Sequence, residues 1–82
     1  MGKAGKVLKQ VLDTYGISQN KLAVAMGTRR SNVNRWVNGT TDPAADAVLQ
    51  IRDGLEKINP IAAVEFIRLY LNRSVDESEE KD

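Results

Sequence analysis

The chain has 82 residues, twelve Lys and Arg against eleven Asp and Glu, and neither cysteine nor histidine. One small domain is all that such a length supports, and the missing residue types exclude disulfides, thiolate zinc sites and the Ser-His and Cys-His nucleophiles, so that no metal, no cofactor and no enzyme activity is expected. The near-neutral total hides a segregation: residues 1–41 carry Lys3, Lys6, Lys9, Lys21, Arg29, Arg30 and Arg35 against Asp13 alone, whereas residues 42–82 hold ten acids and five bases, which points to a polyanionic partner for the first half.

In chain order, Val7, Leu8, Val11, Leu12 and Tyr15 recur at helical spacing until Gly16, which suits the C′ position of a helix. Ser18 is a candidate N-cap for a short second helix carrying Leu22, Ala23 and Met26, closed by Gly27. Thr28 is expected to cap a third, in which Val33, Trp36 and Val37 form the apolar stripe and Gly39 the end. Asp42-Pro43 reads as an N-cap and N1 pair opening a fourth helix with Ala44, Ala47, Val48, Ile51, Leu55 and Ile58 along one face. Asn59-Pro60 repeats that start signal before Ile61 to Leu71. No stretch alternates as a strand would, so the class is all-α, with about five short helices and no internal repeat. Residues 1–73 form the expected domain, and the acidic stretch 74–82, without an apolar residue after Val75, reads as a disordered tail.

The informative segment is Ile17–Gly39, ISQNKLAVAMGTRRSNVNRWVNG. Two short helices flank a tight turn at Gly27, and neither is long enough to stand alone in water. Stepping about 100° per residue along the third helix gathers Val33, Trp36 and Val37 on one side. Ser31, Asn34, Arg35 and Asn38 point away from them, with Arg30 at the border. A face of Arg, Asn and Ser without a carboxylate suits base edges in a DNA groove: Arg pairs bidentately with guanine and Asn with adenine. Arg29 and Arg30 are expected in the first helical turn, where the macrodipole disfavours cations by roughly 0.3–1 kcal/mol each. Stability alone would place Asp or Glu there.

Three pieces of the segment resemble the phage Cro and repressor type of helix-turn-helix, the prokaryotic family often called XRE-like. Ser18-Gln19-Asn20-Lys21-Leu22-Ala23 resembles the opening of the family's second helix, Gly27-Thr28 its turn, and Val33-Asn34-Arg35-Trp36-Val37-Asn38-Gly39 the end of its recognition helix. The resemblance covers roughly Val7 to Ile58 and implies a lambda-repressor-like fold that binds double-stranded DNA. It implies base contacts from Arg29, Arg30, Ser31 and Arg35, to which the residue types add Asn34. It gives Gln19 a phosphate anchor at the start of the second helix and Asn38 a second one. Lys21 and Thr28 join them as expected phosphate contacts, although Lys21 departs from the acidic residue many members carry. A regulator of transcription, a repressor acting in the cytoplasm of a prokaryote or of a phage host and associated with the nucleoid, is the expected function. No membrane partner is expected, since no apolar run resembles a signal peptide or a membrane span.

Other residues invite two readings. Trp36 could stack on single-stranded bases, but its register with Val33 and Val37 makes it a core or near-core residue. Lys3, Lys6 and Lys9 suit either a solvated first turn or an arm along DNA, and Glu56 and Glu65 read as surface charges. The last helix carries two apolar stripes, Ile61, Val64, Ile67 and Leu71 on one and Ala62, Phe66, Leu69 and Tyr70 on the other. A deep seat in the core or a twofold dimer contact would each hide the second face. Ile61, Val64, Phe66, Ile67, Tyr70 and Leu71 are the candidate homodimer residues. The alternative to a regulator is a protein-interaction module such as an antitoxin, bound to a protein partner through the last helix or the tail.

Overall fold

Glycines in the left-handed region set where the first three helices stop. The computed structural model describes the backbone of residues 3–81 and the side chains of residues 3–72. It contains α1 (Lys3–Tyr15), α2 (Gln19–Met26), α3 (Arg30–Asn38), α4 (Ala45–Ile58) and α5 (Pro60–Lys81), and no strand among the described residues. After α1, α2 and α3 the chain turns at Gly16, Gly27 and Gly39, with φ of 64°, 73° and 80°. The residue beyond each glycine donates its N–H back five positions: Ile17 to Leu12 at 2.9 Å, Thr28 to Ala23 at 3.0 Å and Thr40 to Arg35 at 3.0 Å. Such a bond satisfies a carbonyl that the helix end would otherwise leave open. The all-α reading and all three glycine stops hold.

The starts agree less evenly with expectation. Ser18 caps α2, its Oγ accepting from the Lys21 N–H at 3.0 Å. Asn59 closes α4 and opens α5 together, donating its N–H to the Leu55 carbonyl at 2.7 Å while its Oδ1 accepts from the Ile61 N–H at 3.0 Å. Asp42-Pro43, however, does not open α4: the cap is Ala44, in extended conformation, and the first turn closes from the Val48 N–H to the Ala44 carbonyl. The φ that proline imposes suits extended backbone as well as a helix start, so Asp42-Pro43 serves as the lead-in.

Packing runs in a closed ring. The helix α1 packs on α3 and α5, α4 on α2 and α5, and α2 on α3. Each helix contributes to the centre: Leu8 from α1, Leu22 from α2, Val33 from α3, Ile51 and Leu55 from α4, and Phe66 from α5 are all fully buried. Among the described residues no polar or charged side chain is buried with them. Area removed from water, at about 25 cal/mol per Å², is thus what holds helices as short as α2 and α3. Two approaches are closer than ordinary side chains allow. A Cβ at Gly5 would lie 2.3 Å from the Trp36 carbonyl oxygen, and one at Gly54 would lie 2.5 Å from Met26 Cγ. These glycines let α1 reach α3 and α4 reach α2.

The second apolar stripe of α5 belongs to this core, with Phe66 at its centre and its ring stacked on Tyr70 at 6.5 Å between centroids. Phe66 is therefore unavailable to a dimer partner, a correction to its place among the candidate interface residues. The first stripe stays open: Ile61, Val64 and Leu71 are 67%, 66% and 53% exposed, and Ile67 is half-buried. The backbone of α5 continues to Lys81, past the expected end at Leu71 and into the expected acidic tail, 74–82, whose side chains lie outside the described residues.

Candidate nucleic-acid interface

Val33 sits at the root of this face. Its side chain is fully buried, with Trp36 and Val37 half-buried against the core, and this register turns the other side of α3 outward. Arg29, Arg30, Ser31, Asn34, Arg35 and Asn38 are all exposed. Trp36 is near-core, as its spacing required.

The amino end of α3 differs from expectation by one residue. Thr28 does not cap the helix. Arg29 occupies the cap position in extended conformation (φ −86°, ψ 145°) without a side-chain capping bond, and Arg30 is the first helical residue. Only Arg30 of the pair thus stands in the first turn. The Thr28 hydroxyl is engaged elsewhere, accepting from Asn32 Nδ2 at 2.9 Å. That bond clips the turn to the first coil of α3, a role for Asn32 that side-chain spacing alone did not suggest. An arginine where Asp, Asn, Ser or Thr would stabilise the helix start by about 1 kcal/mol is a cost in stability.

Electrostatics favour an anion. From Gln19 to Asn38 there is no Asp or Glu, and Lys21, Arg29, Arg30 and Arg35 supply four positive charges. The ion pairs Arg52–Asp53 and Arg68–Glu65 lie on α4 and α5, and among the described residues no carboxylate neutralises the four cations on this side. The nearby Lys57 instead donates to the Ala25 carbonyl at 3.2 Å, satisfying an open group at the end of α2.

The two helices are also joined across their polar surface. Asn34 Nδ2 donates to Gln19 Oε1 at 3.0 Å, and Asn38 Nδ2 donates to Asn34 Oδ1 at 2.8 Å. Three of the expected contact residues, from two helices, thus share one hydrogen-bonded row. Gln19 is half-buried and Lys21 exposed, on the same short helix. Lys3, Lys6 and Lys9 lie on α1 rather than in a preceding arm, with Lys6 and Lys9 exposed.

A second surface lies between α4 and α5, a groove of about 380 Å³ lined by Arg52, Glu56, Pro60, Ala63, Val64, Ile67 and Arg68. Its charge is locally balanced: Arg68 Nε donates to Glu65 Oε1 at 3.1 Å, which holds the Glu65 carboxyl below its ordinary value and raises the Arg68 guanidinium. No helix among the described residues is long and apolar enough to cross a membrane.

Residues 8–58 match a family model described as helix-turn-helix. A protein of Methanocaldococcus jannaschii, named by inference as an HTH-type transcriptional regulatory protein, is 36% identical over 52 residues. The aligned part is 63% of this chain and 16% of that relative, so the chain spans about one sixth of its length. No solved structure matches the chain. The match from residue 8 to residue 58 takes in α2, the turn and α3 whole, with most of α1 and all of α4.

Proposed function

The chain belongs to the XRE-type helix-turn-helix family of DNA-binding domains, and from that premise we propose that it is a sequence-specific regulator of transcription, acting as a repressor in the cytoplasm. In this reading α3 lies in the major groove of duplex DNA. Arg29, Arg30, Ser31 and Arg35 face base edges, while Gln19, Lys21, Thr28 and Asn38 hold phosphates. The observation that carries the reading is the carboxylate-free outer face of α3, where exposed arginines stand without ion-pair partners among the described residues on a helix anchored from behind by Val33. Lysine and arginine release counterions from the backbone, and the base-facing side chains discriminate sequence. No bond is made or broken.

The regulator acts as a homodimer on a palindromic or near-palindromic site. The exposed stripe Ile61, Val64 and Leu71 supports this, because apolar side chains so open on one helix favour a cover. Ile67 and Tyr70 extend the stripe from half-buried positions. Half-sites about one turn apart, roughly 34 Å, are then expected. The same stripe supports the second reading, a protein-interaction module such as an antitoxin, in which another protein rather than a second copy covers α5.

The test is selection of bound sequences from a random duplex library at near-physiological salt, with Arg30→Ala in parallel. Enrichment of a motif that the variant loses or relaxes is the expected result, with a cost of about 1–3 kcal/mol on the preferred site. A folded protein that enriches nothing would overturn specific reading and leave the interaction module as the better account.

A further inference from the structure

The row Asn38–Asn34–Gln19 has a direction. Each carboxamide donates through its nitrogen to the oxygen of the next, from Asn38 to Asn34 at 2.8 Å and from Asn34 to Gln19 at 3.0 Å. The row crosses from α3 to α2 and binds residues 15 positions apart in sequence. Its members cannot turn over singly. Reversing Gln19 alone would set its NH2 against the NH2 of Asn34, and reversing Asn34 alone would oppose like groups at both of its neighbours. The row inverts only as a unit, and in the direction seen here its last member, Gln19, has its oxygen engaged by Asn34 and its NH2 left to donate. An amide whose oxygen accepts a bond becomes a better donor, so the row strengthens the donor at its end.

We propose that Asn34 is a positioning residue and not a base reader: it locks the Gln19 carboxamide with its NH2 outward as a phosphate donor, ties the start of α2 to the outer face of α3, and leaves sequence discrimination to Arg29, Arg30, Ser31 and Arg35. This rests on the DNA-binding reading above. A bidentate pair with adenine requires one N–H and one oxygen lone pair on the same amide edge. Asn34 has two N–H groups and two lone pairs, and one of each is held by Gln19 and Asn38, so the plane of its amide is set by those two neighbours rather than by a base edge. Arg29, Arg30, Ser31 and Arg35 carry no such prior side-chain bond among the described residues. The ligand at the end of the row is an anion, because the Gln19 oxygen is engaged by Asn34, its NH2 is the group left without a side-chain bond among the described residues, and Lys21 stands two residues along the same helix. A phosphate of the DNA backbone has that chemistry, and its negative charge selects the direction of the row against its inverse.

The test compares Asn34→Ala, Asn34→Asp, Gln19→Ala and the Asn34→Ala/Gln19→Ala pair on three duplexes: the selected site, the site with single base-pair changes, and a random sequence. Asn34 is exposed, and circular dichroism verifies that each variant remains helical. Asn34→Ala is expected to weaken binding about 5-fold on all three duplexes with the selected motif unchanged, the scale of one hydrogen bond. In the Gln19→Ala background the same change is expected to cost less than about 2-fold, because the two residues act as one unit. Asn34→Asp is expected to bind worse than Asn34→Ala, since its carboxylate forces Gln19 to turn and present an oxygen to the phosphate. In the free protein, Asn34→Ala is expected to move the side-chain amide NMR signals of both Gln19 and Asn38. A changed base preference at one position in Asn34→Ala, or losses that multiply in the pair, would overturn the positioning role while leaving DNA reading intact. A wild-type protein that selects no motif would overturn the regulator reading and this one with it.

Discussion

Gly5 of α1 lies so close beneath the carboxyl end of α3 that a Cβ there would sit 2.3 Å from the backbone carbonyl oxygen of Trp36. The contact is helix backbone against helix backbone, and neither side can rotate away. It couples the position of α1 to the helix that carries the exposed arginines.

Gly5→Ala is therefore expected to destabilise the fold despite alanine's better helix propensity. Overpacking costs about 1–3 kcal/mol, and the propensity gain offsets about 0.5–1 kcal/mol of it. Urea denaturation measures the net. Gly54→Ala is expected to cost less, because the atoms its Cβ would meet, Met26 Cγ and Leu22 Cδ1, belong to side chains that can adjust. Equal stability of wild type and Gly5→Ala would mean that α1 and α3 are not held at this separation in solution.

On α5, the buried and open stripes separate stability from association. Phe66→Ala should cost about 3–5 kcal/mol, a large share of the roughly 4–12 kcal/mol available to a chain of this length. Val64→Asp, on the open stripe, should leave monomer stability within about 0.5 kcal/mol while sedimentation shows the dimer lost. A dimer that survives Val64→Asp would place the association on another surface.

Salt dependence distinguishes the two proposed kinds of DNA contact. Lys21→Ala should weaken binding by a similar factor on every duplex and reduce the slope of log K against log salt by about 1. Arg35→Ala should cost about 1–3 kcal/mol on the selected site and relax the preference at one base pair. Titrations at several salt concentrations on selected and random duplexes measure both. An Arg35→Ala effect of equal size on all duplexes would reassign Arg35 to phosphate.

The Glu65–Arg68 pair makes a modest pH prediction. Hydrogen bonding to Arg68 lowers the Glu65 carboxyl from its ordinary 4.5, so the native state binds its proton later than the unfolded chain does. Its contribution is complete above that ordinary value and fades as pH falls through the lowered one. Side-chain NMR titration should show the Glu65 transition move up in Arg68→Gln, with no change in α5 helicity. An unmoved transition would show that the pair does not persist in water.

Much of the candidate interface was legible because it depends on local rules. The glycine stops, the Ser18 cap and the α3 face each follow from residues within a few positions of one another, and the periodicity that buried Val33 also turned Arg30, Arg35 and Asn34 outward. Errors fell where two local arrangements compete within a short span. Thr28 and Arg29 exchanged the cap position because the Thr28 hydroxyl found Asn32, and proline's φ did not decide between helix start and extended lead at Asp42-Pro43. The importance of Gly5 and Gly54 went unread for a different reason. An interior helical glycine signals some close neighbour without saying which.

The sequence by itself determined five helices, the glycine stops of the first three, and the cationic face of one of them, since helix propensity, capping and a 3.6-residue period are properties of neighbouring residues. Tertiary structure alone decided which of two apolar stripes on α5 enters the core, sending Phe66 inward and leaving Val64 outside. It alone brought Gln19 within hydrogen-bond reach of Asn34. Both depend on how α2 crosses α3 and how the ring of helices closes, and those relations are set by packing between residues distant in the chain, where no local period operates.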